Sequence, residues 1–364
     1  MRILRIYLLK ELLQPTGMAL ILFTFILLVG NLVKLADLLI NKGVSILAIL
    51  QMFGLLIPTL LSHTVPFAVL TGTLLAFGRL SSDREILAMR TSGISLFSIA
   101  APILVVAFGL SLGLVPINDR VVPWSHFAGR RLLVDIGIRN PAAFLEAGTF
   151  IKEFKPYILF VYRVEGNHLG KVRIYEPREG RPTRTIVAER GEFIPVPKER
   201  RVLLKLYDGS ADEPDPKNPE KFYKLEFKSY AMNLILKEGQ DSTTLERKPK
   251  DMIQDQLKAE AEKLEAQGID STPLKIEAHR RVAMSFSPLA FVLVGLPLGI
   301  TMRRAQKSIG LGLSILVFLV YYLLLVVGQS LAEQKLFSIG PALWMGNVLL
   351  FAVGSVLLWR SSRQ

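Results

Sequence analysis

Six stretches of this sequence run without a single Asp, Glu, Lys or Arg: residues 12–33, 43–78, 91–118, 282–302, 308–332 and 336–359. A hydrocarbon core about 30 Å thick takes about 20 apolar residues in a helix, and an open-ended chain satisfies its own backbone there only as a helix. The chain is therefore expected to be an integral membrane α-helical bundle that crosses six times, three helices on each side of a long charged interval. The second stretch is longer than one crossing needs and too short for two with a turn between them. Pro58 and Pro66 within it predict a kink, and its start is expected to be interfacial or tilted. The first stretch follows Arg2, Arg5 and Lys10, as a secretion signal would. Its apolar run is too long for one and no small-residue cleavage site follows, so a retained first helix is expected.

Apolar residues make up 51% of the chain and charged ones 21%, the latter crowded between Asp119 and Arg281 and at a few short connections. That division separates a lipid-facing part from a watery one. The formal charge of +13 raises nucleic acid as a partner, but the placement of the cations explains it better. With the N-terminus in the cytoplasm, alternation puts Arg2, Arg5, Lys10, Arg79, Arg84, Arg90, Arg303, Arg304, Lys307, Arg360 and Arg363 on one side. The short connections opposite offer little beyond Lys42 and Lys335. The positive-inside rule then places both termini in the cytoplasm and the large interval outside, and no nucleic-acid partner is expected. The absence of cysteine excludes disulfides, a thiol nucleophile and a thiolate metal site.

Between the two helical halves, Tyr223, Leu225 and Phe227 alternate with Lys224, Glu226 and Lys228, and similar short runs occur at 157–164, 171–175, 185–188 and 202–207. Gly and Pro punctuate them, which predicts an all-β sandwich or jelly roll rather than a parallel sheet. From Lys250 to Gln267 the pattern turns helical, with Leu257, Ala261 and Leu264 on one face and Gly268 as its stop; a second short helical piece, 274–281, leads into the fourth stretch. Gly109 with Gly113 and Gly295 with Gly299 match the small-residue spacing of close helix packing. His63 is expected to be a hydrogen-bonded packing residue at mid-span.

No GxxxxGK[ST] loop, no GxGxxG after a strand, no HExxH and no GxSxG occurs, and His63, His126, His168 and His279 have no metal-ligand spacing. No catalytic residue, metal or cofactor is expected of the chain itself, and any ATP would be used by a partner. Two readings stand for Lys34, which with Asp37 lies where the first stretch reaches the outer face. The ammonium either snorkels to the interface or faces the bundle interior and holds an anionic lipid group.

Residues 78–93 are the most informative connection. Ser81 or Ser82 can cap a short helix whose first turn holds Asp83 and Glu85, and Gly93 can end it. Laid along the membrane, such a helix would expose Asp83, Arg84 and Glu85, bury Ile86, Leu87 and Met89, and offer a cytoplasmic partner a docking element. An ordinary amphipathic loop helix has the same pattern.

Four pieces carry a resemblance. They are Ile6-Tyr7-Leu8-Leu9-Lys10-Glu11; the run from Phe77 to Ile94 around Ser82-Asp83-Arg84-Glu85; Glu277-Ala278-His279-Arg280-Arg281; and Ala342-Leu343-Trp344-Met345-Gly346-Asn347. In this order, within a layout of three helices, domain and three helices, the chain resembles the lipopolysaccharide-transport permeases LptF and LptG, also called the YjgP/YjgQ family. The resemblance covers nearly the whole chain. It implies a subunit of an ABC exporter that extracts lipopolysaccharide from the inner membrane, beside a homologous permease subunit. A separate cytoplasmic ATPase dimer of the LptB type drives the pair, and a periplasmic jelly roll hands substrate to an LptC-type protein.

The family's coupling-helix glutamate matches Glu85, so the expected contact with the ATPase is the segment carrying Asp83, Arg84, Glu85, Met89 and Gly93. A substrate-phosphate contact matches Lys34, while a neighbouring basic position is Asn31 here. The short N-terminus and Pro123-Trp124-Ser125 look more like the LptF type than the LptG type. The expected layout is residues 1–118 as helices one to three with a coupling helix at about 80–93, 119–249 as the periplasmic β-domain, 250–281 as a helical connector and 282–364 as helices four to six. Rival readings are a non-transporting membrane scaffold or sensor, a lipid enzyme built around the solitary His63, and an ion-driven carrier, for which mid-span carboxylates are lacking.

Overall fold

A computed structural model describes residues 2–40, 44–139, 148–151, 154, 156–178, 181–196, 201–215, 218–234, 247–301 and 307–363. Its helices are α1 (Arg2–Ile40), α2 (Ile46–Ser82), α3 (Glu85–Thr91), α4 (Leu96–Pro116), α5 (Val122–Arg139), α6 (Gln254–Ala266), α7 (Thr272–Ser285), α8 (Ser287–Thr301), α9 (Lys307–Glu333) and α10 (Ile339–Arg363). Five helical paths are long and apolar enough to cross a membrane: α1, α2, α4 continued into α5, α9 and α10. The pair α7 and α8, bent by 40°, makes a sixth if it is one broken span. The second apolar stretch is one helix despite Pro58 and Pro66. The third runs past the expected exit at Asn118, because a π-helical turn, Ile117–Val121, carries α4 into α5 without a break.

Two compact units emerge. The first comprises residues 1–30, 56–127 and 248–364, and the second residues 31–55 and 128–247. In the first, α8 is central and most of its residues are buried. One side of it, with Val292 and Leu296, meets Val69, Ala76 and Phe77 of α2, Ile99 and Ile103 of α4 and Leu8 and Leu12 of α1. The other, with Ala290, Phe291 and Val294, meets Leu70 and Leu74 of α2, Tyr321 and Leu325 of α9 and Leu350 of α10. Helices in lipid gain little from burying apolar surface against one another, so close fit and polar links must hold them. Gly299 supplies fit: a methyl group there would lie 2.9 Å from Phe77 Cβ and 3.2 Å from the Leu74 carbonyl oxygen. The other small-residue pair, Gly109 and Gly113, has nothing within 4 Å of either position among the described residues.

The second unit holds a six-stranded sheet, β1 (Phe150–Ile151), β2 (Ile158–Glu165), β3 (His168–Arg178), β4 (Arg181–Val196), β5 (Arg201–Asp215) and β6 (Asn218–Leu234), antiparallel throughout and paired in sequence order. The expected antiparallel pairing is present. Two separate sheets joined by crossovers, as in a sandwich, are not found among the described strands, because each strand pairs with its predecessor. The strands also run longer than the alternating cores of the sequence indicated; the run 171–175 extends through Glu176 and Pro177 to Arg178, with a register shift there.

Inside-outside alternation slips by one residue along a line across the sheet. On β3 the buried residues go from Leu169 to Val172, on β4 from Ala188 to Phe193 past buried Gly191, and on β5 from Leu206 to Ala211. Lys171 and Asp208 stand on that line with φ of 50° and 53°. The pairing register runs unchanged through that line, from Val161 with Val172 to Arg163 with Gly170 and from Ala188 with Gly209 to Arg190 with Tyr207, so neighbouring strands bend there together and keep the same face inward beyond the bend. The buried side chains from both sides of the line form one cluster, and every member comes from the strands or from Phe154. With no helix in that cluster, the sheet encloses its core by folding over itself.

Candidate coupling site

The segment around Glu85 is built from the end of α2. Phe77 and Leu80 are buried, and the Ser81 hydroxyl donates to the Ile300 carbonyl at 2.6 Å, tying the last turn of α2 to the end of α8. Neither Ser81 nor Ser82 caps a following helix, contrary to expectation, because both still belong to α2. Asp83 and Arg84 form the turn, with Arg84 in the left-handed region at φ 60° and no side-chain cap. The short helix is therefore the seven residues Glu85–Thr91 rather than about 80–93. Its end is as expected: Gly93 takes φ 85°, its N–H bonds the Arg90 carbonyl at 2.9 Å, and the Ile94 N–H bonds the Met89 carbonyl at 3.1 Å. Paired bonds of this kind around a left-handed glycine terminate helices economically, since glycine has no Cβ to clash there.

Only Ile86 of α3 is fully buried, while Met89 and Ile94 lean on the same cluster of α1, α2, α4 and α8 side chains. Leu87, expected inside, is 59% exposed. On a seven-residue helix the buried face is one narrow stripe, and residue 87 lies a quarter-turn off residue 86. Asp83 and Arg84 are exposed, and Glu85 is half-buried. The structure thus gathers Asp83, Arg84, Glu85, Met89 and Gly93 into one short surface element. Lys34 lies in α1, but its side chain falls outside the described residues.

Polar contacts surround this element. The Tyr7 hydroxyl of α1 donates to Glu85 Oε2 at 2.7 Å. Arg79 pairs with Glu11 at 2.6 Å and more loosely with Asp83 at 3.9 Å. At the other end of α3, Arg90 donates to the carbonyls of Ser361 and Ser362 at 3.2 and 3.3 Å, at the C-terminus of α10. Reading the sequence pointed to Glu85 but not to Tyr7, Glu11 or Arg90 as its surroundings; the signal available was the opening run Ile6 to Glu11.

A second polar cluster lies beyond the π turn. Asn118 accepts from the Ser62 hydroxyl and donates to Ser285 Oγ at 2.8 Å, joining α2, the π turn and α7. Asn347 of α10 donates to the Ala283 carbonyl at 2.7 Å. Arg281 of α7 donates to Glu277 at 2.9 Å and to the carbonyls of Pro249, Lys250 and Met252. Asp251, in the same turn, bonds His126 of α5, and the Gln254 N–H donates to Asp119 at 2.7 Å. The chain leaves this unit after Phe127 and re-enters it at Lys248, so these bonds join the two crossing points inside the helical unit. His63 bonds the Thr59 carbonyl at 2.9 Å, one turn earlier on its own helix. No group of three His, Asp or Glu residues placed to hold a metal occurs among the described residues.

Compared with known proteins, residues 6–360 match the family described as lipopolysaccharide export system permease LptF/LptG. The chain belongs to that family. Its relatives include the lipopolysaccharide export system permease protein LptF of Escherichia coli strain K12, 21% identical over 360 residues, covering 97% of this chain and 94% of that one. The LptF of Shigella flexneri is similar to the same extent. An uncharacterized protein of Rickettsia prowazekii is 26% identical over 179 residues, 49% of each chain. The LptF/LptG match begins one residue before Tyr7 and ends at Arg360, so it takes in Tyr7, Glu11, Arg79 and all of α3 and stops just short of Ser361 and Ser362. The chain is accordingly a membrane permease of a lipopolysaccharide export system, with apolar helices of spanning length before and after an antiparallel sheet in the sequence.

Proposed function

We propose that this chain is the LptF-type permease subunit of an ABC exporter in the inner membrane, which extracts lipopolysaccharide and passes it toward the outer membrane. The observation that carries the mechanism is α3: a short, surface-held helix at the end of a long apolar helix, with Glu85 at its first turn. A separate cytoplasmic ATPase dimer of the LptB type presses on this element through Asp83, Arg84, Glu85 and Met89, with Gly93 setting the stop of the helix. The cation distribution supports a cytoplasmic α3 and termini, six crossings with α7 and α8 as one broken span, and a periplasmic sheet. A homologous LptG-type subunit completes the cavity, and Lys34 attracts a lipopolysaccharide phosphate near its outer rim. The stretches 1–118 and 282–364 supply most of the transporting body, 250–281 leads into the fourth crossing and 119–249 carries the periplasmic sheet.

The long edge strand β6, which exposes Tyr223 and Leu225, supports onward transfer along an LptC-type sheet. Binding preferences that change between two conformations need an energy source, which the partner's ATP hydrolysis provides. The LptF proteins among its relatives lend support to the LptF type.

Glu85→Ala tests the coupling role in proteoliposomes holding the whole complex. Export of lipopolysaccharide is expected to fall at least tenfold while the complex still assembles, since α3 contributes little buried surface. Wild-type export by this variant refutes the coupling assignment. Lys34→Glu is expected to weaken photocrosslinking of lipopolysaccharide, and an unchanged yield restores the snorkelling lysine.

A further inference from the structure

A helix of seven residues does not hold itself together in water, because nucleation costs more than so few hydrogen bonds return. Burial does little to place α3, since Ile86 alone is fully enclosed. What fixes it at each end is a side chain from far along the sequence or reaching far. Tyr7, 78 residues before Glu85, donates its hydroxyl to Glu85 Oε2 at 2.7 Å. Arg90, in the last turn, donates two guanidinium nitrogens to the carbonyls of Ser361 and Ser362, 271 and 272 residues away. Those carbonyls are among the last of α10, which has no further turn to satisfy them.

The two contacts differ in kind but act together. A tyrosine hydroxyl has one proton to give, and a carboxylate has about four acceptor positions, so the bond to Oε2 orients Glu85 and still leaves Oε1 open to an incoming cation. The guanidinium presents several donors in a fixed plane, so bonding two successive carbonyls sets both the direction and the distance between α3 and α10. Between the straps, α2 is fastened by Ser81 to the end of α8, and Arg79 of α2 reaches Glu11, one turn of α1 beyond Tyr7.

We propose that Tyr7 and Arg90 are positioning residues of the transport cycle. They lash the two ends of α3 to α1 and α10, so that a push on α3 moves those two helices together instead of swivelling α3 about Gly93. Tyr7 also presets the carboxylate that meets the ATPase. This rests on the reading of α3 as the coupling helix and adds where its motion is delivered.

The test uses the full exporter in proteoliposomes, with fluorescent lipopolysaccharide as the exported probe and phosphate release as the count of ATP hydrolysed. The readout is lipid exported per ATP. Tyr7→Phe removes one oxygen and keeps the ring; it is expected to lower that ratio by about three- to tenfold, the range for loss of one ordinary, solvent-exposed hydrogen bond. Arg90→Lys keeps the charge but replaces the fixed guanidinium plane with a freely rotating ammonium that no longer sets the direction between α3 and α10, and a drop in the same direction is expected. Glu85→Asp withdraws the carboxylate by one methylene, out of reach of Tyr7, while keeping its charge. In that background Tyr7→Phe is expected to cause no further loss, because the bond it would remove is already gone.

Two results overturn the proposal. One is a wild-type ratio in Tyr7→Phe and Arg90→Lys while Glu85→Ala is uncoupled; the other is a loss from Tyr7→Phe that is equally large beside Glu85 and beside Asp at that position. Failure of the coupling reading itself is a separate result, normal export by Glu85→Ala.

Discussion

Arg281 shows how a single charged side chain can organise a membrane protein's architecture. Nearly buried itself, it answers Glu277 with one nitrogen and gives its others to three carbonyls of the turn that brings the chain back to the helical unit. Replacing it with Met strands the Glu277 carboxylate beside Arg280 alone and leaves those carbonyls unmet. Breaking such a buried arrangement costs about 3–5 kcal/mol, and a clear fall in the thermal unfolding midpoint in detergent is expected. An unfolding midpoint equal to wild type would remove Arg281 from this role. Asn118 is a milder case: bonds between membrane helices contribute roughly 0.6 to 1.7 kcal/mol each. Asn118→Ala, which loses one to Ser62 and one to Ser285, is therefore expected to lower the midpoint by less than Arg281→Met does. The sequence placed Arg281 and Glu277 in a notable run but could not show what Arg281 holds. Its acceptors are main-chain carbonyls 29 to 32 residues earlier, and a carbonyl looks alike in every residue type.

Elements with a chemical stop were legible in the sequence, and those shaped by long-range contacts were not. Gly93 and Gly268 end their helices in the left-handed conformation their sequence context predicted. Gly93→Ala forces a Cβ into that conformation at a cost of about 1–2 kcal/mol. Faster hydrogen exchange of the α3 amides is expected, with the exchange of α8 unchanged; equal exchange in α3 would mean that its stop lies elsewhere. The six apolar runs gave helices, but the bend at Phe286 between α7 and α8 and the π turn at Asn118 have no residue signature of their own. Alternation likewise located the strands, whereas the fold line through Lys171 and Asp208 depends on backbone conformations that neither residue prefers. Lys171→Gly, which suits a φ of 50° better, is expected to be tolerated in the sheet. Phe193→Ala opens a void in the sheet's own core at about 3–5 kcal/mol. Limited proteolysis of the intact protein should cut the 148–234 region faster in that variant, and wild-type resistance would contradict the folded-sheet core.

In the whole molecule, the proposed export route requires α3 and the sheet to lie on opposite sides of one membrane, so that work done on α3 by an ATPase can move lipid toward the sheet. The chain contains no cysteine, so any thiol introduced is unique. Leu87 of α3 and Tyr223 of β6 are 59% and 70% exposed, so each accepts a thiol without disturbing a core. A membrane-impermeant maleimide added to cells whose outer membrane has been opened is predicted to label Tyr223→Cys at once and Leu87→Cys only after the inner membrane is permeabilised. Labelling of both from the same side would leave the push at Glu85 without a route to the exported lipid.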